Sequence, residues 1–169
     1  AARALPQLAG LVRVSAAIAC VALFALSWRQ IGIWKNSGTL GAAETRVVGE
    51  HPWGLNLIAR EQLAAGDFAG AALTLERSVK LEPANSLAWN LLGMSYSFAG
   101  DPARAEPALR RAYALDPRNP NIAQRLAEVV LNLGQLDEAE TLVRSALALD
   151  DFHPAAHNVL GRVLLVRGD

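Results

Sequence analysis

From residue 52 onward, apolar residues fall at helical spacing, and the whole pattern returns after 34 residues. Leu55, Ile58, Trp89, Leu92, Leu126 and Leu160 belong to the stripe that a first helix turns toward its neighbour in successive units. A small residue follows at one fixed place (Ala59, Gly93, Ala127, Gly161), where a larger side chain would hold paired helices apart. Gly66, Gly100, Gly134 and Gly168 come just past the predicted end of each first helix. There a positive φ costs little only for glycine. A second helix then carries Ala71, Ala105 and Ala139, with Leu75, Leu109 and Val143 beyond them. Pro83 and Pro117 stop that helix in two copies, while Asp151 stands there in the third. The spacing predicts helix–turn–helix units at 52–85, 86–119 and 120–153, and one further helix at 154–169.

Read in full, the unit 86–119 runs Trp89-x2-Leu92-Gly93-x2-Tyr96, then Ala105, Leu109, Ala112 and Pro117. This order and period resemble the tetratricopeptide repeat, a helix pair that stacks into a solenoid. The resemblance implies an all-α fold: a right-handed αα-solenoid of three and a half repeats with a concave face.

The first third of the chain obeys a different pattern. Val14 to Trp28 is free of charge, and extension back to Leu8 gives an apolar run interrupted only by Arg13. About 20 apolar residues cross a bilayer core, and Arg13 stands near enough to one end to reach the headgroups. Trp28 and Trp34, with Arg29 and Lys35 beside them, make an interfacial belt at the other. Residues 1–35 therefore read as one transmembrane helix with its flank, bringing the lipid bilayer in as a partner. A signal peptide ending near Ala25-Leu26-Ser27, or a buried soluble helix, are the competing readings. Arg3 and Arg13 on one side nearly balance Arg29, Lys35 and Arg46 on the other, so charge leaves the orientation open. Residues 36–51 are expected to form a linking helix, capped by Asn36 or Ser37 and ended by Gly49 and Pro52.

Charge narrows the remaining options. With 16 basic and 16 acidic residues the formal net charge is zero, which gives no footprint for nucleic acid. The single cysteine, Cys20, excludes an intrachain disulfide. His153 and His157 are four apart but lack a third ligand, so no metal site is expected. Asp150-Asp151 and the Glu138, Glu140 pair read as solvated carboxylates, and Arg167-Gly168-Asp169 as a turn. With no phosphate loop and no nucleophile–base pair, neither cofactor nor catalytic chemistry is expected.

One feature is not demanded by packing. Asn56, Asn90, Gln124 and Asn158 recur at the repeat spacing, one amide on each first helix. Each follows a core position by one residue, which turns it toward the concave surface. Such a ladder can donate to and accept from an extended peptide backbone, unless these amides are merely solvated. Arg60 and Arg162 lie a turn further on, but Met94 and Glu128 interrupt any basic track between them. The pattern thus departs from the lysine-lined clamp of chaperone-binding members of the repeat family.

The junction carries a second resemblance. The apolar run, Trp28-Arg29, Trp34-Lys35-Asn36-Ser37-Gly38-Thr39-Leu40 and His51-Pro52-Trp53 are similar to the last membrane helix and repeat tail of transmembrane O-glycosyltransferases. That resemblance implies an extracytoplasmic solenoid attached to a larger polytopic enzyme, whose catalytic acids would lie elsewhere. The absence of an initiator methionine, and a last helix ending in Val163, Leu164, Leu165 and Val166, are in keeping with a longer chain or a covering partner. The sequence therefore points first to a membrane-tethered scaffold for a protein, an extended peptide or other subunits of a membrane complex. A substrate-presenting enzyme tail is the alternative.

Overall fold

The computed structural model describes residues 50–168 continuously, and Leu23, Leu26, Ser27, Trp28, Thr39 and Ala42 before them. Within residues 50–168 seven helices follow one another: α1 (Pro52–Ala64), α2 (Phe68–Leu81), α3 (Ser86–Phe98), α4 (Pro102–Leu115), α5 (Pro120–Asn132), α6 (Leu136–Leu149) and α7 (Pro154–Arg167). The helices α1, α3, α5 and α7 start 34 residues apart. Each helix packs on the next. The odd-numbered helices also approach one another in series, whereas the backbones of the even-numbered ones stay further apart, with α4 and α6 bridged by the long side chains of Arg110 and Glu138. That asymmetry makes an inner wall of α1, α3, α5 and α7 and an outer, ribbed wall of α2, α4 and α6.

Local chemistry sets the boundaries. Asn85 and Asn119 precede α3 and α5, and their side-chain oxygens accept from Ala88 N (3.0 Å) and Asn121 N (3.2 Å). Asp67 and Asp101 do the same for α2 and α4 through Gly70 N (2.9 Å) and Arg104 N (3.0 Å). Such caps satisfy amides that have no partner inside the helix. Gly66, Gly100, Gly134 and Gly168 all adopt φ between +78° and +87°, as expected for turns that reverse a helix within three residues.

The core runs as one strip between the walls. Leu55, Leu75, Leu109, Ile122, Leu126, Val129, Val143 and Val163 are almost fully buried, with Ala59, Ala105 and Ala127 between them. At Gly93 the α3–α4 approach is tightest: a Cβ built there would meet Leu109 Cγ at 2.4 Å. Gly161 occupies the same column in α7 but faces open space, with no described residue within 4 Å of an added Cβ. Its role as a close-approach residue is not realised here.

Among the described residues no helix is long and apolar enough to cross a membrane. The predicted span at 8–28 and the linking helix at 36–51 fall almost entirely outside those residues.

Candidate functional site

The inner wall collects the predicted amides, but in four different states. Asn56 is buried, and its Oδ1 accepts from Ser78 Oγ of α2 at 2.8 Å. Asn90 holds the equivalent place in α3. The residue matching Ser78 there is Ala112, which has no hydroxyl to give. Asn90 Oδ1 is accordingly buried without a hydrogen-bond partner. Gln124, one methylene longer, reaches along its own helix to Glu128 Oε2 at 3.2 Å. Asn158 is exposed on α7. The ladder is regular in sequence and irregular in chemistry.

The predicted arginines also differ. Arg60 is exposed on α1 with no ion pair among the described residues. Arg162 bridges α7 to α5, donating to Glu128 Oε1 at 3.2 Å and Asn132 Oδ1 at 2.8 Å. Gln124, Glu128, Arg162 and Asn132 thus form one internally satisfied network that ties the last two inner helices together.

A residue that the sequence pattern did not single out is Arg125, on α5. Its guanidinium is half-buried, its Nε has no hydrogen-bond partner, and no carboxylate lies within ion-pair distance among the described residues. Burial pulls its pKa below the usual arginine value, with Glu128 partly opposing. It borders a crevice of about 30 Å³ beside Met94, Ser97, Phe98 and Glu128. The signal available in the sequence was its place next to Gln124, one residue further round the helix. A buried, unpaired donor or acceptor costs about 1–3 kcal/mol, and the inner wall carries one of each, Arg125 Nε and Asn90 Oδ1. Trp53, Leu87 and Phe98 add exposed apolar surface on α1 and α3.

Other chemistry-bearing residues are committed to structure. His153 caps α7 by accepting from Ala156 N at 3.3 Å, and its Nε2 contacts Asn121 Oδ1 at 3.2 Å. His157 Nε2 lies 2.7 Å from the Asp151 carbonyl. No cluster of three metal-ligating side chains occurs among the described residues. Glu138 and Glu140, expected to be solvated, lie in exposed ion pairs: Glu138 takes both terminal guanidinium nitrogens of Arg110 (2.5 and 2.9 Å), and Glu140 holds Arg144 and Arg167. These pairs hold both carboxyls below the usual glutamate range. Arg167, in the predicted turn tripeptide, thereby joins α7 to α6.

No curated protein matches the chain. Among solved structures, the first repeat domain of Spaghetti (RPAP3), bound to an HSP90 peptide, is similar with a TM-score of 0.66 and 19% identity, covering 68% of this chain and 91% of its own. The Yersinia enterocolitica type III secretion chaperone SycD, in complex with a peptide of the translocator YopD, gives 0.61 and 22%, over 67% and 92%. MamA gives 0.62 and 25%, over 66% and 65%. Two family models, both described as tetratricopeptide repeat, match residues 56–120 and 99–163. Together they span 56–163, more than half of the sequence, and the chain belongs to the tetratricopeptide-repeat family.

Proposed function

We propose that the chain is a protein-interaction module whose inner wall clasps an extended peptide, with its strongest contacts between α3 and α5. The observation that carries this reading is the pair of unsatisfied polar groups at Asn90 and Arg125, in a wall where Asn56, Gln124 and Arg162 are paired and Asn158 and Arg60 are open to solvent. A peptide backbone supplies what both lack: an N–H for Asn90 Oδ1 and a carbonyl or carboxylate for Arg125. Exposed Trp53, Leu87 and Phe98 offer apolar purchase to its side chains. Asn158 and Arg60, both open, extend the track, whereas Asn56, Gln124 and Arg162 shape the wall through bonds of their own. The peptides held by the Spaghetti and SycD domains support a ligand of this class. Peptides selected from a random library on the full chain should lose about tenfold or more in affinity with Arg125→Ala, as expected for a hydrogen bond to a charged group. Unchanged affinity with both Arg125→Ala and Asn90→Ala would rule the site out.

The attachment is part of the same proposal. The apolar run 8–28 anchors the module in a bilayer, with the solenoid on the extracytoplasmic side, where it assembles subunits of a membrane complex. Carbonate should leave the full chain in the membrane fraction, and removal of residues 1–35 should release it. The junction at Trp28 to Trp53 favours a second reading, the substrate-presenting tail of a membrane O-glycosyltransferase. Several membrane spans encoded upstream of Ala1 would decide for it.

A further inference from the structure

The outer wall contains a groove that the peptide reading does not use. It lies between α2 and α4 with α3 as its floor, and encloses about 690 Å³. That is within the roughly 300–1,000 Å³ of small-molecule sites. Val79, Trp89, Leu92, Pro107 and Ala108 give it apolar sides. Its two polar wall groups are already engaged: Trp89 Nε1 donates to the Pro83 carbonyl at 2.9 Å, and the Tyr96 hydroxyl donates to Glu76. Arg104, at one end, is paired with Asp101 and stacked 4.6 Å over the Tyr96 ring. Two cations on the lining remain, Lys80 on α2 and Arg111 on α4, and neither has an ion-pair partner among the described residues.

The next repeat carries different side chains at the positions that line this groove. One unit on, Val79 and Ala108 become Tyr113 and the buried Leu142, which add bulk where this groove has space. Glu76 and Arg104 become Arg110 and Glu138, whose ion pair ties α4 to α6. Lys80 and Arg111 become Ala114 and Ser145. The next repeat therefore keeps neither the small side chains of Val79 and Ala108 nor the two cations, although Trp89 and Tyr96 shrink there to Ala123 and Val130.

We infer that this groove binds an anionic amphiphile, a fatty carboxylate, independently of the inner wall. Its chain lies against Val79, Leu92, Pro107 and Ala108, and its carboxylate meets Lys80 and Arg111. Glu76 sits at the Tyr96 end and repels the head group, which sets the orientation. A peptide is the poorer occupant, because the free donors, Lys80 and Arg111, are both cations, and the apolar side chains Val79, Leu92, Pro107 and Ala108 offer its backbone nothing to bond.

Calorimetric titration of the full chain with dodecanoate tests the assignment, with dodecanol as the uncharged control. Saturable binding of dodecanoate is expected, at least tenfold weaker with Ala108→Leu, which introduces the side chain that occupies the next groove. Lys80→Ser with Arg111→Ser should weaken dodecanoate at least tenfold and leave dodecanol unaffected. Because both residues are exposed, this double variant keeps the test valid if Ala108→Leu misfolds, and circular dichroism would confirm its fold. No saturable binding, or binding unchanged by the double variant, would overturn the proposal. So would an equal loss of dodecanoate and dodecanol in that variant.

Discussion

Gly93 and Gly161 occupy the same repeat position, yet the same substitution should move stability in opposite directions. A Cβ at Gly93 would stand 2.4 Å from Leu109 Cγ, 2.9 Å from its Cδ2 and 3.3 Å from the Ala105 carbonyl oxygen. Carbon atoms rest about 3.5–4.0 Å apart, so α3 and α4 must separate by roughly an ångström or Leu109 must turn. Leu109 is fully buried and has little room to do so. Overpacking of this kind costs about 1–3 kcal/mol, and replacing a mid-helix glycine with alanine returns at most about 1 kcal/mol. Gly93→Ala should therefore destabilise, by up to about 2 kcal/mol. At Gly161 no heavy atom lies within 4 Å of the added carbon. There only the helix gain operates, and Gly161→Ala should stabilise by up to about 1 kcal/mol. Urea unfolding of the full chain, followed by circular dichroism, reads both, with midpoints shifted oppositely at unchanged slope. Gly93→Ala at parental stability, or a destabilised Gly161→Ala, would refute the packing argument.

Two further outcomes follow from local chemistry. Asn85→Ala removes the cap on α3 and should cost about 0.5–2 kcal/mol, measured by the same unfolding; no change would mean that water caps α3 equally well. Burial, reinforced by the hydrogen bond to Glu76, pushes the Tyr96 hydroxyl up to about 12. A raised folded-state value means that stability is intact below the unfolded tyrosine value near 10 and is lost as pH rises toward 12. One of the two tyrosines should thus ionise late in an ultraviolet titration, and earlier in Glu76→Gln; identical titration in both proteins would contradict the assignment.

Helix pairing was legible because it depends on residues with one physical role each. A glycine at positive φ and an alanine between crossing helices leave fixed marks at fixed intervals. The inner wall was only half legible. The amide column repeats perfectly in sequence, but what each amide does depends on a residue 22 positions away on another helix, serine at 78 and alanine at 112. Arg125 was invisible for a related reason: an arginine on a helix reads as solvated until its neighbouring carboxylate, Glu128, is seen to be bonded to Gln124 and Arg162. The ion pairs of Glu138 and Glu140 were not legible either, since their arginine partners come from other turns and other helices. The outer groove likewise depends on Val79 and Ala108 facing one another across two repeats.

The central claim, that Asn90 and its surroundings bind peptide, is tested most directly by Ala112→Ser. The substitution gives Asn90 the hydroxyl that Ser78 gives Asn56. Isothermal titration of a library-selected peptide, alongside urea unfolding of the free protein, should show two linked effects. The free protein should gain about 0.5–1.5 kcal/mol from a satisfied oxygen, while the peptide binds more weakly because Asn90 already has a partner. A more stable protein that binds the peptide as tightly as the parent would contradict the account.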